Sequence, residues 1–181
     1  MRYPLDHVEI RTALHEQFFE EPDRLNMVAS PVGGAFGKVR SSGSKPHQGW
    51  DMYAPVYAPA YAITTALVVS VCTSFGPEQY KKDSFGNFVC LMFGREDPKR
   101  RTSSPLFAFY GHLASVEVDV GDCCPEGSVI GTVGRSGNAS RSPSHLHFEI
   151  RTAAIPPAHS GLKYRIDPGE VLGYEAYSCR P

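Results

Sequence analysis

The sequence predicts a mainly β fold, an antiparallel β-sheet domain preceded by a short N-terminal helical segment. Seventeen glycines and fifteen prolines in 181 residues indicate many turns and few long helices. Hydrophobic residues make up 41% of the chain and charged residues 20%, which is enough apolar material for one packed core. Short runs with the composition of strands recur along most of the chain and are separated by polar stretches.

The first 26 residues form an N-terminal extension with the pattern of a helix. Apolar residues of 5–19 recur among charged ones, and Pro22 closes the segment. Charges also occupy the positions where a signal peptide needs an apolar stretch, so no export signal is expected there. The most apolar stretch, 62–72, is too short to span a membrane as a helix.

The β domain is expected over 27–175, with a C-terminal tail at 176–181. Its entry, after residue 27, is rich in Gly, Ser and Pro. Strands are predicted in six runs, each bounded by turn residues: 56–61, 65–73, 86–93, 105–111, 127–133 and 145–151. The polar stretches 74–86 and 94–104 are predicted to be exposed loops.

The charge balance and the cysteines narrow the classes of function. Eighteen basic residues against nineteen acidic ones give a net charge of −1, which argues against a nucleic-acid-binding protein. Five cysteines are an odd number, so a fully paired disulfide framework within one chain is excluded. Cys72 and Cys90 lie in runs that would form neighbouring strands. A cross-strand bridge and two buried free thiols are both open, and the burial tendency of free cysteine favours the thiols.

Candidate functional residues begin with two histidines in one run. From His145 to Arg151 polar and apolar residues alternate, so a strand places His145, His147, Glu149 and Arg151 on one face. Two histidines on one strand face can contact one metal ion or one substrate atom. The pattern alone does not decide which of the two would bind a metal.

His47 and Asp51 form a second candidate pair, four residues apart with Gly49 between them. A turn can fold both onto one cation. Together with one imidazole from the strand that carries His145 and His147, this pair would supply two imidazoles and one carboxylate. Such a set would leave a Zn²⁺ ion with a net charge of +1 and a fourth position for water, the composition of a catalytic zinc site. The alternative for this pair in isolation is an Asp51 that caps a turn and an exposed His47. His112, at the end of an aromatic strand, would either face a cleft or be a buried core imidazole.

Several motifs in chain order resemble the LytM/lysostaphin-type zinc metalloendopeptidases. The resemblance covers roughly 27–173, most of the chain. It is carried first by three histidine motifs: His47-x-Gly49-x-Asp51, Tyr110-Gly111-His112-Leu113 and His145-Leu146-His147-Phe148-Glu149. The intervening segments agree with the family pattern as well: Asp51-Met52-Tyr53-Ala54-Pro55, Phe85-Gly86-Asn87-Phe88-Val89, 120–134 and Ile166-Asp167-Pro168.

The resemblance implies a zinc-dependent metalloendopeptidase that hydrolyses peptide bonds in bacterial peptidoglycan. By resemblance, His47, Asp51 and His147 are the ligands of one Zn²⁺ ion. His112 and His145 would be the unliganded pair that polarises the attacking water and stabilises the tetrahedral intermediate.

The family also implies a substrate groove walled by loops. The stretches 74–86 and 94–104 are the candidate walls, because loops that carry specificity surround a rigid scaffold. Tyr110, Asn138 and Ser144 are candidate groove residues; the last two belong to the segment that leads into the strand with His145.

By this resemblance the protein would act in the periplasm or cell wall, as a monomer, on peptidoglycan peptides. With no export signal visible, we expect delivery by a secretion machine, by phage lysis or after loss of a leader. This favours an antibacterial effector or lysin, with an immunity or inhibitor protein as its partner.

Two other classes of protein are alternatives to the enzyme. One is a catalytically inactive LytM-like domain that binds peptidoglycan or regulates an amidase; the presence of all three ligands and both assisting histidines argues against it. The other is a lipoyl- or biotinyl-type carrier, suggested by 120–134, which lacks a modifiable lysine at a hairpin tip.

Overall fold

The computed structural model describes residues 1–6, 9–10, 27–28, 34–40, 45–97, 102–157 and 159–173. Within these ranges the chain forms thirteen β-strands and one α-helix: β1 (Glu9–Ile10), β2 (Met27–Val28), β3 (Gly37–Arg40), β4 (Lys45–His47), β5 (Trp50–Tyr53), β6 (Pro59–Tyr61), β7 (Ala66–Cys72), β8 (Asn87–Asp97), β9 (Thr102–Val116), β10 (Cys123–Cys124), β11 (Val129–Val133), β12 (His145–Arg151), β13 (Arg165–Ile166) and α1 (Pro168–Leu172).

Eleven of these strands form one sheet. Its main path runs β1-β2-β5-β12-β9-β8-β7-β10, with β13 paired to β12, and β11 paired to both β9 and β6. The strands β3 and β4 form a separate two-stranded sheet. Among the described strand pairs, β1 with β2 is parallel and the others are antiparallel. The predicted mainly β, antiparallel fold is confirmed.

The hydrophobic core lies on one face of the central strands. Leu146, Phe148 and Ile150 of β12 and Trp50 and Met52 of β5 have no exposed surface. They alternate along their strands with polar residues, as expected when successive side chains point to opposite faces. Burial of this apolar face stabilises the sheet and leaves the polar face of the same strands to carry a site.

The register of the three central strands brings their polar faces together. His147 of β12 lies opposite Asp51 of β5 on one side and opposite Gly111 of β9 on the other. His145 lies opposite Tyr53 of β5. Directly opposed residues in an antiparallel pair project to the same face of the sheet, so these side chains are neighbours.

Each of the six predicted runs overlaps one strand, in the order β6, β7, β8, β9, β11 and β12. The prediction of a loop over 94–104 is wrong for its described residues. Residues 94–97 continue β8 and residues 102–104 begin β9, paired as a long hairpin. Backbone pairing continues beyond the buried pair Phe93 with Leu106, because hydrogen bonding along a hairpin does not require apolar side chains.

The N-terminal residues pack against the β domain. Leu5 is buried in the hydrophobic core, and the Tyr61 backbone N–H donates to Pro4 O at 2.8 Å. Glu9–Ile10 form β1, which interrupts the helix predicted over 5–19. Residues 5–6 form a bend and a turn, residues 7–8 and 11–19 of that helix lie outside the described ranges, and the boundary at residue 27 stays a prediction.

The cysteines of the described residues, Cys72, Cys90, Cys123 and Cys124, are free thiols. The strands β7 and β8 do pair, but Cys72 lies opposite Phe88 and Cys90 lies opposite Ser70. This register keeps the two sulfurs apart, so both are free thiols as predicted and the cross-strand bridge is wrong. Cys90 is buried as expected, whereas Cys72 is only partly buried.

The helix α1 follows β13 and is bounded by two caps. The Asp167 carboxylate accepts a hydrogen bond from the Gly169 N–H at 3.0 Å, and Gly173 ends the helix in the left-handed conformation. In the part of the chain that the structure describes, no helix has the length and apolar composition needed to cross a membrane.

Candidate metal centre and groove

Three donor atoms from β4, β5 and β12 lie close together. His47 Nε2 lies 3.2 Å from Asp51 Oδ1 and 3.3 Å from His147 Nδ1, and Asp51 Oδ1 lies 2.8 Å from His147 Nδ1. A tetrahedral zinc ion with ligands at 2.0–2.1 Å holds its donors about 3.3 Å apart. The two nitrogens and one oxygen therefore fit Zn²⁺ in both chemistry and spacing.

The second ring nitrogen of each histidine in this cluster is held by an oxygen. His47 Nδ1 lies 2.8 Å from Ala35 O, and His147 Nε2 lies 2.9 Å from Glu149 Oε1. An N–H that donates to these oxygens leaves the lone pair of the other ring nitrogen directed into the cluster. Both imidazoles are thus oriented so that each could serve as a metal ligand.

Glu149 is a buried carboxylate with two guanidinium partners. Its Oε2 accepts hydrogen bonds at 2.7 Å from both Arg151 Nε and Arg165 Nε. Burial alone would raise the pKa of Glu149, but the hydrogen bonds and charges of His147 and Arg151 outweigh it and hold that pKa well below the ordinary value. The carboxylate therefore stays ionised and accepts the His147 N–H.

The cluster itself favours a positive charge. Burial acts to raise the pKa of Asp51, but the neighbouring imidazoles of His47, His145 and His147 hold it well below the ordinary value. Burial acts to lower the pKa of His147, but hydrogen bonds to Asp51 and Glu149 raise it. Because two arginines already neutralise Glu149, the negative charge that a cation could offset in this cluster is that of the Asp51 carboxylate.

The turn between His47 and Asp51 requires glycine at position 49. A Cβ atom on Gly49 would lie 2.1 Å from Phe148 O, far inside van der Waals contact. The absence of a side chain lets this turn pack directly on β12. Close packing of the turn brings its two candidate ligands next to His147.

His145 and His112 lie beside the cluster. His145 Nε2 is 3.7 Å from Asp51 Oδ1, and the ring centroids of His112 and His145 are 5.1 Å apart. Nδ1 of His145 lies 2.8 Å from Pro143 O, and Nδ1 of His112 lies 2.9 Å from Ser136 O. With Nδ1 donating to a carbonyl in each ring, Nε2 is the nitrogen that can accept a proton.

His112 reaches the cavity because its backbone breaks the alternation of β9. Tyr110 and Leu113 are in the core, while Gly111 lies opposite His147 on the polar face. His112 adopts a left-handed conformation with φ of 63°, which costs a non-glycine residue about 1–3 kcal/mol and is typical of functional sites. Burial, with the neighbouring imidazoles, lowers the pKa of His112 to about 3, so its ring is neutral at pH 7.

A cavity of about 700 Å³ opens over the cluster, a volume typical of ligand sites. All five histidine and aspartate residues described above line it. The remaining lining comes from loops and strand ends: Pro46, Gln48, Tyr53, Asp83, Ser84, Phe85, Asn138, Ala139, Ser142, Pro156, Pro157, His159 and Arg165.

Of the three predicted groove residues, Asn138 is exposed and lines the cavity. The groove prediction is wrong for Tyr110, which faces the core without exposed surface and accepts the Ile63 N–H on its hydroxyl at 3.2 Å. It is also wrong for Ser144, whose hydroxyl donates to Ala54 O at 2.5 Å and fastens the segment to β5. Strand alternation places Tyr110 on the core face, opposite Phe148.

The predicted walls have different outcomes. The stretch 74–86 contributes residues 83–85, and Phe85 stacks on His147 with 5.1 Å between ring centroids. The described residues of 94–104 contribute nothing to the lining, because the hairpin extends along β8 and β9 away from His112. The prediction of a wall is wrong for these described residues.

Sequence reasoning missed two parts of the site. Residues of 156–165 line the cavity, and His159 is exposed at this lining. No sequence pattern marked that segment. Tyr53 also lines the cavity, and for this residue a signal existed: it lies two positions after Asp51 on a strand and so shares its face.

Comparison with known families gives a match over most of the chain. The sequence model of Peptidase family M23 matches residues 45–168, a range that contains every histidine and aspartate of the cluster. No curated protein matches the chain at a significant level.

Solved structures share the fold. The catalytic domain of the prophage-encoded M23 protein EnpA from Enterococcus faecalis is 24% identical, with a TM-score of 0.52 over 74% of this chain and 85% of that one. The catalytic domain of the antimicrobial peptidase lysostaphin from Staphylococcus simulans is 23% identical, with a TM-score of 0.52 over 77% and 87%. LytU is 25% identical, with a TM-score of 0.52 over 79% and 84%.

Proposed function

The chain belongs to peptidase family M23, and from this premise we propose that it is a zinc metalloendopeptidase that hydrolyses peptide bonds in bacterial peptidoglycan. One observation carries the proposal. The donor atoms of His47, Asp51 and His147 lie within 3.3 Å of one another in a cavity that also holds two further histidines.

His47, Asp51 and His147 would hold the zinc ion. Bound there, zinc supplies a Lewis acid that polarises a carbonyl and makes water more acidic. The protein's part is to present Nε2, Oδ1 and Nδ1 at fixed positions, with Glu149 and Ala35 O orienting the two imidazoles.

His145 and His112 are proposed to move and hold protons. Each donates Nδ1–H to a backbone carbonyl, so each Nε2 is a base toward the cavity. Nε2 of one ring would accept a proton from the attacking water and return it to the leaving amine. Nε2 of the other, once protonated, would donate to the oxyanion of the tetrahedral intermediate.

The substrate is proposed to be a peptidoglycan peptide that lies across the cavity between residues 83–85, 138–142 and 156–159. An effector or lysin role at the cell wall, an immunity or inhibitor protein as partner, and a monomeric state stay predictions. A catalytically inactive, peptidoglycan-binding protein is the second candidate.

Digestion of purified peptidoglycan tests the proposal. The zinc-loaded protein is incubated with the polymer and the fragments are identified by mass spectrometry, beside a chelated sample and a His145→Ala variant. New fragments that vanish in both controls would support the enzyme and identify the bond. Stoichiometric zinc without new fragments would favour the inactive binding protein, and the absence of both zinc and fragments would overturn the zinc endopeptidase.

A further inference from the structure

Residues 156–157 and 159–163, here called the wall segment, lie between β12 and β13 beside the cluster. Pro156, Pro157 and His159 line the cavity. The described residues of the wall segment belong to neither a strand nor a helix. Backbone hydrogen bonds form turns within it and the Arg165 N–H donates to Leu162 O at 3.1 Å, while its contacts with residues beside the cluster involve side chains.

Arg165 anchors the wall segment. Its Nη1 donates to Ser160 Oγ at 2.9 Å, Gly161 O at 3.0 Å and Lys163 O at 3.3 Å. Its Nε donates to Glu149 Oε2 at 2.7 Å. One planar guanidinium thus joins the wall segment to the carboxylate that orients a proposed metal ligand.

Gln48 makes a second contact between the wall segment and the proposed metal site. Gln48 Nε2 donates to Gly161 O at 3.3 Å, and Gln48 directly follows His47 in the chain. Both contacts therefore link the wall segment to residues that adjoin, or hydrogen-bond to, a proposed ligand.

Arg151 provides an internal comparison for Arg165. It donates to the same Glu149 oxygen at the same distance, 2.7 Å. Its guanidinium, however, lies 3.5 Å from the Phe109 ring centroid and donates to Ala154 O at 3.4 Å. Both arginines neutralise Glu149, and among the described residues Arg165 is the one of the two that hydrogen-bonds to the wall segment.

We propose that Arg165 is a positioning residue that fixes the wall segment relative to the metal ligands and thereby sets how tightly a peptide is held in the cavity. The inference rests on the proposed function. When the wall segment is already held in place, less conformational entropy is lost on binding a peptide. Loosening the wall segment raises KM and leaves the groups around the proposed metal in place, so kcat changes little.

The test compares Arg165→Met with Arg151→Met at saturating zinc, with soluble purified peptidoglycan as the probe. Each change leaves Glu149 with one guanidinium, so both variants should lose zinc affinity and thermal stability to a similar degree. Arg165→Met should raise the apparent KM about tenfold with kcat within about threefold of wild type. Arg151→Met should keep KM within about twofold.

A third variant separates charge from anchoring. Arg165→Lys keeps a cation beside Glu149 but loses the planar fork that reaches two sets of acceptors. Its KM should rise as in Arg165→Met while its zinc affinity stays nearer to wild type. An equal KM rise in Arg165→Met and Arg151→Met would overturn the inference, because the effect would then come from Glu149. An unchanged KM in Arg165→Met would overturn it as well.

Hydrogen exchange tests the anchoring without substrate. The Ser160 and Lys163 N–H groups donate to Pro157 O and Ser160 O inside the wall segment. Their exchange should accelerate about tenfold in Arg165→Met and stay unchanged in Arg151→Met. Equal exchange in the two variants contradicts the inference. A wild-type protein that binds zinc but cuts no peptidoglycan contradicts the proposed function instead, so the two failures are distinguishable.

Discussion

Nε2 of His147 lies 2.9 Å from Oε1 of Glu149, a carboxylate without exposed surface two residues further along the same strand. Because β12 is extended, positions i and i+2 project to one face of the sheet. His147, a proposed metal ligand, and Glu149, which orients it, therefore lie side by side. The opposite face of the same strand carries core residues. The strand β12 therefore contributes polar residues to the candidate site on one face and apolar residues to the hydrophobic core on the other.

Removal of the metal or of one ligand should abolish activity. Asp51→Ala or His47→Ala deletes one of three proposed protein ligands, so zinc affinity should fall by more than about 100-fold, the upper end of the effect of losing a supporting residue. Zinc content after gel filtration and peptidoglycan digestion should fall together. Chelated wild type should lose activity and regain it with added Zn²⁺, and an active Asp51→Ala protein would contradict the ligand assignment.

Substitution of His145 should separate catalysis from metal binding. His145→Ala should keep stoichiometric zinc and lose about 100-fold in kcat, the usual scale of a general acid or base. His112→Ala should show the same pattern, because its Nε2 is likewise left for the cavity. Loss of zinc in His145→Ala would mean that His145 is a ligand, and full activity in His112→Ala would remove that residue from the mechanism.

Local periodicity predicted the strands and the polar face of β12, whereas the set of His47, Asp51 and His147 was implied by the resemblance to the family. Alternation from 145 to 151 correctly placed His145, His147 and Glu149 on one face, and the register with β5 then brought Asp51 to His147. The same alternation, applied to β9, would have placed Tyr110 in the core. It could not place His112, whose left-handed backbone is set by tertiary contacts such as its N–H bond to Phe85 O at 2.8 Å.

The part that the wall segment plays in lining the cavity was not predicted, for a different reason. The wall segment is positioned by Arg165 and Gln48. Gln48 is distant from it in sequence, Arg165 follows it closely, and neither belongs to a periodic pattern that would predict the contact. The distal part of the β8–β9 hairpin, 94–104, was predicted as a loop because its polar composition says little about backbone pairing beyond the core.

Gly49→Ala should disrupt the site through backbone packing. The new Cβ would lie 2.1 Å from Phe148 O, so the turn must shift away from β12, at a cost of about 2–3 kcal/mol in the free energy of unfolding. Zinc affinity should fall because the two ligands on that turn move. Gly94→Ala is the matched control, since nothing lies within 4 Å of its Cβ, and urea unfolding should show a change within about 0.5 kcal/mol. Similar losses in both variants would contradict this packing argument.

Thiol labelling should distinguish the cysteines. Burial raises the pKa of Cys90 to about 11, so at pH 8 only about one molecule in a thousand carries the reactive thiolate. Exposed Cys123 should therefore react with iodoacetamide while Cys90 stays unlabelled, as mapped by peptide mass spectrometry. In guanidinium without reductant both should react. If Cys72 and Cys90 stayed blocked under those conditions, a disulfide between them would be present after all.

Tyr110→Phe should affect stability and not catalysis, in contrast to Asn138→Ala. Loss of the Tyr110 hydroxyl leaves the buried Ile63 N–H without its acceptor, which costs about 1–3 kcal/mol in the free energy of unfolding. Both kcat and KM should stay within about twofold of wild type, because Tyr110 lies on the core face. Asn138 is exposed at the cavity, so Asn138→Ala should change stability by less than about 0.5 kcal/mol and raise KM. Urea unfolding and digestion kinetics of the two variants decide the point, and a raised KM in Tyr110→Phe at unchanged stability would return that residue to the groove.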